Sequence, residues 1–203
     1  MTKPKDKNTE SSILSAAKKV FQNKGMDGAR MQEIADKAGI NKAMLHYYYR
    51  SKQLLFEAVF KNAFALLAPQ LNKVLNDDSS IENKIRNFTS NYISFIIKHP
   101  YLPTFIIQEL NRNPDFINKM KQKSGFPNLK KFKKQVDLEI EQKLIRPIHA
   151  EQLFINIMAL NIFPFVATPL IKAFANISDK AFKQLMSDRK EEVADFIINS
   201  IKI

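Results

Sequence analysis

The stretch from Ile34 to Lys52 leaves this chain fewer choices of structure than any other part of it. It reads Ile-Ala-Asp-Lys-Ala-Gly-Ile-Asn-Lys-Ala-Met-Leu-His-Tyr-Tyr-Tyr-Arg-Ser-Lys. One short helix must stop at Gly39, because glycine enters a left-handed stop without a Cβ clash. A second helix starts almost at once, since Asn41 is a good N-cap whose side-chain oxygen accepts from an unpaired amide of the following turn. Ile40 is the apolar residue expected at the corner. Two helices joined by a turn of about 3–4 residues are the arithmetic of a helix-turn-helix.

The second of these helices carries Lys42, His46 and three consecutive tyrosines, groups that suit a groove of bases and phosphates. The major groove of DNA admits an α-helix whose first turn faces the base edges. Lys42 can donate to guanine acceptors or to phosphate. Ala43 and Met44 offer apolar contact, as to a thymine methyl. His46 and Tyr47 lie one turn further on, with His46 either in the groove or flanking the core. Tyr48 and Lys52 suit phosphates, and the helix N-terminus at Ser51-Lys52 adds amides for an anion. Leu45 and Tyr49 are expected in the core.

Around this unit the residues Ala17 to Gly25, then Ile34-Ala35, Ala38-Gly39-Ile40, Leu45, Tyr48, Tyr49, Ser51-Lys52 and Leu54-Leu55 follow a recognisable pattern. From about Ile13 to Leu55 the chain resembles the DNA-binding head of the tetracycline-repressor (TetR) family, over roughly a quarter of its length. It departs from the family's usual Thr at Ala29 or Arg30, from the usual Tyr at His46 and from the usual Phe at Tyr49. The resemblance adds Arg30, at the start of the second helix, to an expected DNA-contacting set of Arg30, Lys42, Ala43, Met44, His46, Tyr47, Tyr48 and Lys52. It also implies a ligand cavity in the remainder of the chain and a homodimer through its last helices.

The rest of the chain reads as helices. Apolar residues recur at helical spacing along Ile13, Leu14, Ala17, Val20 and Phe21, with Thr9 or Ser11 as cap, and along Leu54, Leu55, Ala58, Val59, Ala63 and Leu66. Later helices are expected over Ile81–Lys98, Pro103–Arg112, Asn113 to Gly125, Phe126–Lys143 and His149–Phe163. A kinked Pro164–Pro169 region, a short helix capped by Ile177-Ser178-Asp179 and a last helix over Asp188–Ile203 complete the series. No window alternates with period two. The expectation is an all-α protein, with an N-terminal three-helix DNA-binding domain (1–50) and a larger helical ligand-binding and dimerisation domain (51–203).

Composition narrows function further. The absence of cysteine excludes disulfides, thiolate zinc sites and a cysteine nucleophile. His46, His99 and His149 are too scattered for a His-Glu-x-x-His metal site, and four glycines form no phosphate loop. No catalytic residue, metal or cofactor is expected. The N-terminus lacks the apolar run of a secretory signal, and Phe154–Ile171 is too interrupted by Asn and Pro to span a membrane. A soluble, cytoplasmic protein is expected. The net charge of +12 is spread along the chain, so it supports a polyanionic partner without locating it. The lysines at 119, 121, 123, 130, 131, 133 and 134 read as a solvated helix pair, with a second phosphate-binding surface as the alternative.

For the body, apolar residues with a few polar ones suit an amphipathic ligand. The candidates are Phe88, Tyr92, Phe95, Phe105, Glu109, Phe132, Met158 and Asn161, in a core that also draws on Gln108, Phe116, Met120, Phe163 and Phe165. Two C-terminal helices carry more apolar surface than one inward stripe needs, so Phe154, Met158, Ile162, Val193, Phe196 and Ile197 are expected at a homodimer seam. The function expected is a ligand-responsive transcriptional regulator, a repressor on a palindromic double-stranded DNA operator, released by a small-molecule effector. The alternative is a helical ligand carrier or enzyme whose head does not bind DNA.

Overall fold

The computed structural model describes residues 6–115, 118 and 129–203, and all regular structure among them is helical. The first helix, α1 (Lys7–Gly28), starts earlier than expected. Asp6 is its cap, the carboxylate accepting from the amides of Asn8 and Thr9 and from the Thr9 hydroxyl. At Gly25 the backbone turns to φ 66°, ψ −178°, a conformation open to glycine, and one more turn runs to Gly28. The helices α2 (Met31–Ala38), α3 (Lys42–Tyr48) and α4 (Lys52–Asn76) follow.

The chain divides into two compact units, 1–65 and 66–203, with the boundary inside α4. In the first unit Ile13, Ala17, Val20 and Phe21 of α1 are buried, with Ile34 and Ala35 of α2, Leu45 of α3, and Leu55, Phe56 and Phe60 of α4. Phe21 meets Phe56 edge to face at 5.0 Å. This core, made from α1, the two short helices α2 and α3 and the start of α4, sets the inward face of α3 at Leu45.

In the second unit α5 (Ile81–Lys98) is lined by Ile81, Ile85, Phe88, Tyr92, Ile93 and Ile96, all buried. Its start is capped twice. Ser80 accepts from the Asn83 amide, and the buried Glu139 accepts from the Ile81 amide at 2.9 Å. The other elements are α6 (Leu102–Arg112), α7 (Lys130–Glu141), α8 (Ala150–Val166), α9 (Thr168–Ala175) and α10 (Asp179–Ile201). Both α10 and α8 pack on α5, and α8 also meets α6 and α7.

Two boundaries differ from the sequence reading. α8 continues through Pro164 to Val166, and α9 then leaves it at 75°. The expected break at Asp188 is absent, so Asp179 to Ile201 is one helix. The Asp188 carboxylate accepts from Gln184 one turn earlier, and Met186 and Val193 carry the buried stripe straight past it. The segment expected over Asn113 to Gly125, including Phe116 and Met120, lies largely outside the described residues.

Candidate nucleic-acid interface

The geometry of the turn is set by three residues. Gly39 sits at φ 70°, ψ 30°, the left-handed stop, and its amide returns to the carbonyls of α2. Ile40 is half-buried at the corner and donates to the Ala35 carbonyl at 3.1 Å. Asn41 accepts from the Met44 amide at 2.7 Å, so the first turn of α3 is capped by a side chain.

With Leu45 fully buried, helical geometry turns the opposite face of α3 outward. Lys42, Ala43, Met44, His46 and Tyr47 are all exposed, Met44 at 43% and Tyr47 at 47%. These five expected residues therefore share one open surface, with a cation, two apolar groups, an imidazole and a phenol. His46 belongs to that surface rather than to the core. Arg50, which the sequence reading passed over, is also exposed just beyond α3. Its signal was a cation directly following the tyrosine run.

Tyr48 and Lys52 do not join this face. Tyr48 is 9% exposed, and its hydroxyl accepts from the Asp6 amide at 3.0 Å and donates to the Asp6 carbonyl at 3.4 Å. The half-buried Lys52 donates to the carbonyls of Asp27 and Ala29, each at 3.2 Å. Both groups expected on phosphates are thus engaged inside the head. Tyr49 is core, as expected, and its hydroxyl donates to Glu10 at 3.0 Å. Burial, and then the Glu10 carboxylate, push that hydroxyl well above the usual tyrosine value. Arg30 stands at the N-cap position of α2 without a side-chain capping bond, on a polar groove it shares with Lys24, Gln32, Glu33, Asp36 and Lys37. Lys24 and Glu33 pair across that groove at 2.8 Å.

In the body, six of the eight ligand candidates are buried: Phe88, Tyr92, Phe105, Glu109, Phe132 and Asn161. Phe95 and Met158 are half-buried. Tyr92 lies against Phe88 at 5.0 Å between ring centres, and Asn161 donates to Thr89 at 3.3 Å and to the Ile157 carbonyl at 2.8 Å. The Tyr92 hydroxyl and the Asn161 carbonyl oxygen are buried without hydrogen-bond partners. Burial alone raises the Tyr92 hydroxyl far above its ordinary value. Glu109 accepts from Arg112 at 3.1 Å.

The six residues expected at a C-terminal dimer seam divide by exposure. Val193 and Ile197 are buried on α10, whose inner face packs against α5, so they are not available on the surface. Phe196 stays outside at 65% exposure, joined on α8 by exposed Ile155 and Phe163 and by half-buried Phe154, Met158 and Ile162. Of the lysine cluster, Lys131 pairs with Asp78 at 2.6 Å and Lys133 with Glu151 at 3.1 Å, which favours a solvated surface. Lys119, Lys121 and Lys123 lie outside the described residues. Among the described residues no three His, Cys, Asp or Glu side chains gather as a metal ion would need.

Residues 13–59 match the family of bacterial regulatory proteins, tetR family. The chain is 31% identical to the HTH-type transcriptional repressor NicS of Pseudomonas putida over 50% of this chain and 48% of the relative. It thus spans about half the length of that relative. A longer match, 24% identical over 73% of this chain and 77% of the relative, is to IcaR of Staphylococcus epidermidis, a negative transcriptional regulator of the biofilm operon icaADBC. The fold is that of a TetR-family transcriptional regulator from Haemophilus influenzae, with a TM-score of 0.65, 15% identity, and coverage of 96% of this chain and 97% of that one. The head, residues 13–59, thus matches the tetR family, and the chain as a whole shares the helical fold of a TetR-family regulator.

Proposed function

We propose that this protein is a DNA-binding transcriptional regulator, a repressor acting as a homodimer, whose head reads an operator through α3. The observation that supports this most is the open face of α3. Lys42, Ala43, Met44, His46 and Tyr47 are exposed on the side of the helix away from buried Leu45, with the Tyr47 ring edge-on to Tyr48. Lys42 supplies the donor for guanine or phosphate, Ala43 and Met44 the apolar contact, and His46 and Tyr47 the second turn. Arg30 and Arg50 are the added cations for the backbone. NicS and IcaR are both named as negative regulators, which supports repression.

The division of labour proposed is reading by residues 1–50 and ligand binding with dimerisation by 51–203. The body would take a small amphipathic effector among Phe88, Tyr92, Phe95, Phe105, Glu109, Phe132, Met158 and Asn161. The unpartnered Tyr92 hydroxyl and Asn161 oxygen support a ligand with both donor and acceptor, because buried polar atoms are normally satisfied. Such an effector releases DNA only if it binds the DNA-free conformation more tightly. No enzymatic step and no cofactor enter this reading, and its place of work is the cytoplasm.

The test is a mobility shift with promoter DNA at rising salt. A regulator gives a complex that weakens steeply as salt rises, because phosphate contacts release counterions. A protein that leaves the DNA unshifted at low salt is the helical ligand carrier or enzyme instead.

A further inference from the structure

Two residues flanking the end of the reading helix are engaged with α1, one near each of its ends. The Tyr48 hydroxyl, on the last residue of α3, uses both its acceptor and its donor capacity on the backbone of Asp6, 42 positions away. Asp6 is itself the α1 cap, held by its own bonds to Asn8 and Thr9, so the tie ends on a fixed point. Lys52, the first residue of α4, places its ammonium on the carbonyls of Asp27 and Ala29, where α1 ends.

Carbonyls at a helix C-terminus lack partners within the helix and carry partial negative charge, so a lysine there is favoured on both counts. A phenol at 9% exposure with its hydroxyl doubly engaged would have to break both bonds to reach a phosphate. The two anchors bracket Tyr49, Arg50 and Ser51, the short link between the reading helix and α4. They work beside the Tyr49–Glu10 bond and the packing of Phe21 on Phe56, which bring the same helices together.

We infer that Tyr48 and Lys52 are positioning residues for the reading helix and not phosphate contacts. They act by fastening the C-terminal end of α3 to both ends of α1, so that the α3 face meets base edges at one angle. The inference rests on the regulator reading, but its first consequence is visible without DNA.

The experiment uses full-length wild type, Tyr48→Phe and Lys52→Met. In the DNA-free protein, both variants should exchange the amides of α3 faster than wild type by about fivefold or more, the loss expected for one hydrogen bond. Unchanged exchange in both overturns the inference. With DNA, affinity is measured across a salt series for a selected sequence and for a random one.

Positioning predicts that each variant loses preference for the selected sequence by about fivefold to tenfold, while the salt slope of Lys52→Met stays that of wild type. A phosphate-contacting Lys52 predicts an equal loss on both DNAs and a slope shallower by about one. That pattern overturns the inference. Failure of wild type to bind any DNA sinks the regulator reading and the positioning role together. The exchange experiment tells that outcome apart from failure of the ties alone.

Discussion

The head and the body of this molecule are built from the same helices but announce themselves very differently. In the head, each function-bearing position is fixed by short-range chemistry. Gly39 stops one helix, Asn41 caps the next, and Leu45 turns the remaining face outward. In the body, long amphipathic helices pack on α5, and the apolar residue types of a core filler are the same as those proposed for a ligand wall or a dimer seam. A turn written in three residues specifies geometry, whereas an apolar stripe specifies only which side is inside.

The largest effect that sharpens this contrast is in the head core. Phe21→Ala removes a buried ring packed on Phe56 and should lower stability by about 3–5 kcal/mol in denaturant titration. A core as small as that of residues 1–65 has little to compensate with. A loss well below that range would mean the site collapses, and that the head is more plastic than its packing suggests.

The body offers a polar counterpart. Glu139 accepts from the Ile81 amide at 2.9 Å and from Gln135 at 2.7 Å, so one carboxylate joins α7 to the start of α5. Glu139→Ala leaves a buried amide without its partner and should cost about 1–3 kcal/mol. Thermal unfolding monitored by circular dichroism checks this, and an unchanged midpoint would show that Ser80 caps α5 alone.

These two residues illustrate what the sequence could and could not disclose. Phe21 was readable because its spacing from Ile13, Ala17 and Val20 follows one helix face. The role of Glu139 was not, since nothing local indicates that a surface-like Glu-x-Glu pair sends one carboxylate to an amide 58 positions away. The same reason hid the inward turn of Tyr48 and Lys52, whose partners lie 42 and 25 positions off. α3 matched its expected bounds because both of its ends carry local signals. α10 did not, because Ser187-Asp188 mimics a cap that the buried stripe overrides. Val193 and Ile197 looked like spare apolar surface until α5 was seen to cover them.

Lys42→Ala probes the exposed face rather than the core. It should leave stability within about 0.5 kcal/mol of wild type, as an exposed substitution does. Operator affinity should fall by about 1–3 kcal/mol, read by fluorescence anisotropy. Equal affinity in a folded variant would remove Lys42 from the reading face.

Phe196→Asp asks the same question of the body surface. With 65% of its side chain outside, Phe196 contributes little to the monomer, so a loss of stability is not expected. Dimerisation should weaken by about tenfold, or 1.4 kcal/mol, in sedimentation equilibrium. A wild type that is monomeric at micromolar concentration would contradict the seam outright.

The smallest expected effect is one of pH. Burial by itself raises the Asp77 carboxyl, but bonds from the Lys84 ammonium and the Ser79 hydroxyl outweigh it and hold it below its ordinary value. A carboxyl lowered on folding contributes stability above its unfolded value, and loses that contribution as pH falls through the folded one. Asp77→Asn should therefore reduce stability from neutral pH down to the ordinary carboxylate range and converge with wild type below it. A difference that persists undiminished as pH falls below the ordinary carboxylate range would exclude the Lys84 pair as the cause.

The central claim is that the open face of α3 reads a defined DNA sequence, and selection of bound duplexes from a random library tests it most directly. The account predicts enrichment of a two-fold symmetric sequence whose half-sites lie about 34–36 Å apart, or a multiple of one helical turn. It also predicts loss of that enrichment when Lys42, Met44 and Tyr47 are replaced together by alanine. A wild-type pool that remains random after repeated rounds, or a triple variant that enriches the same sequence, would contradict it.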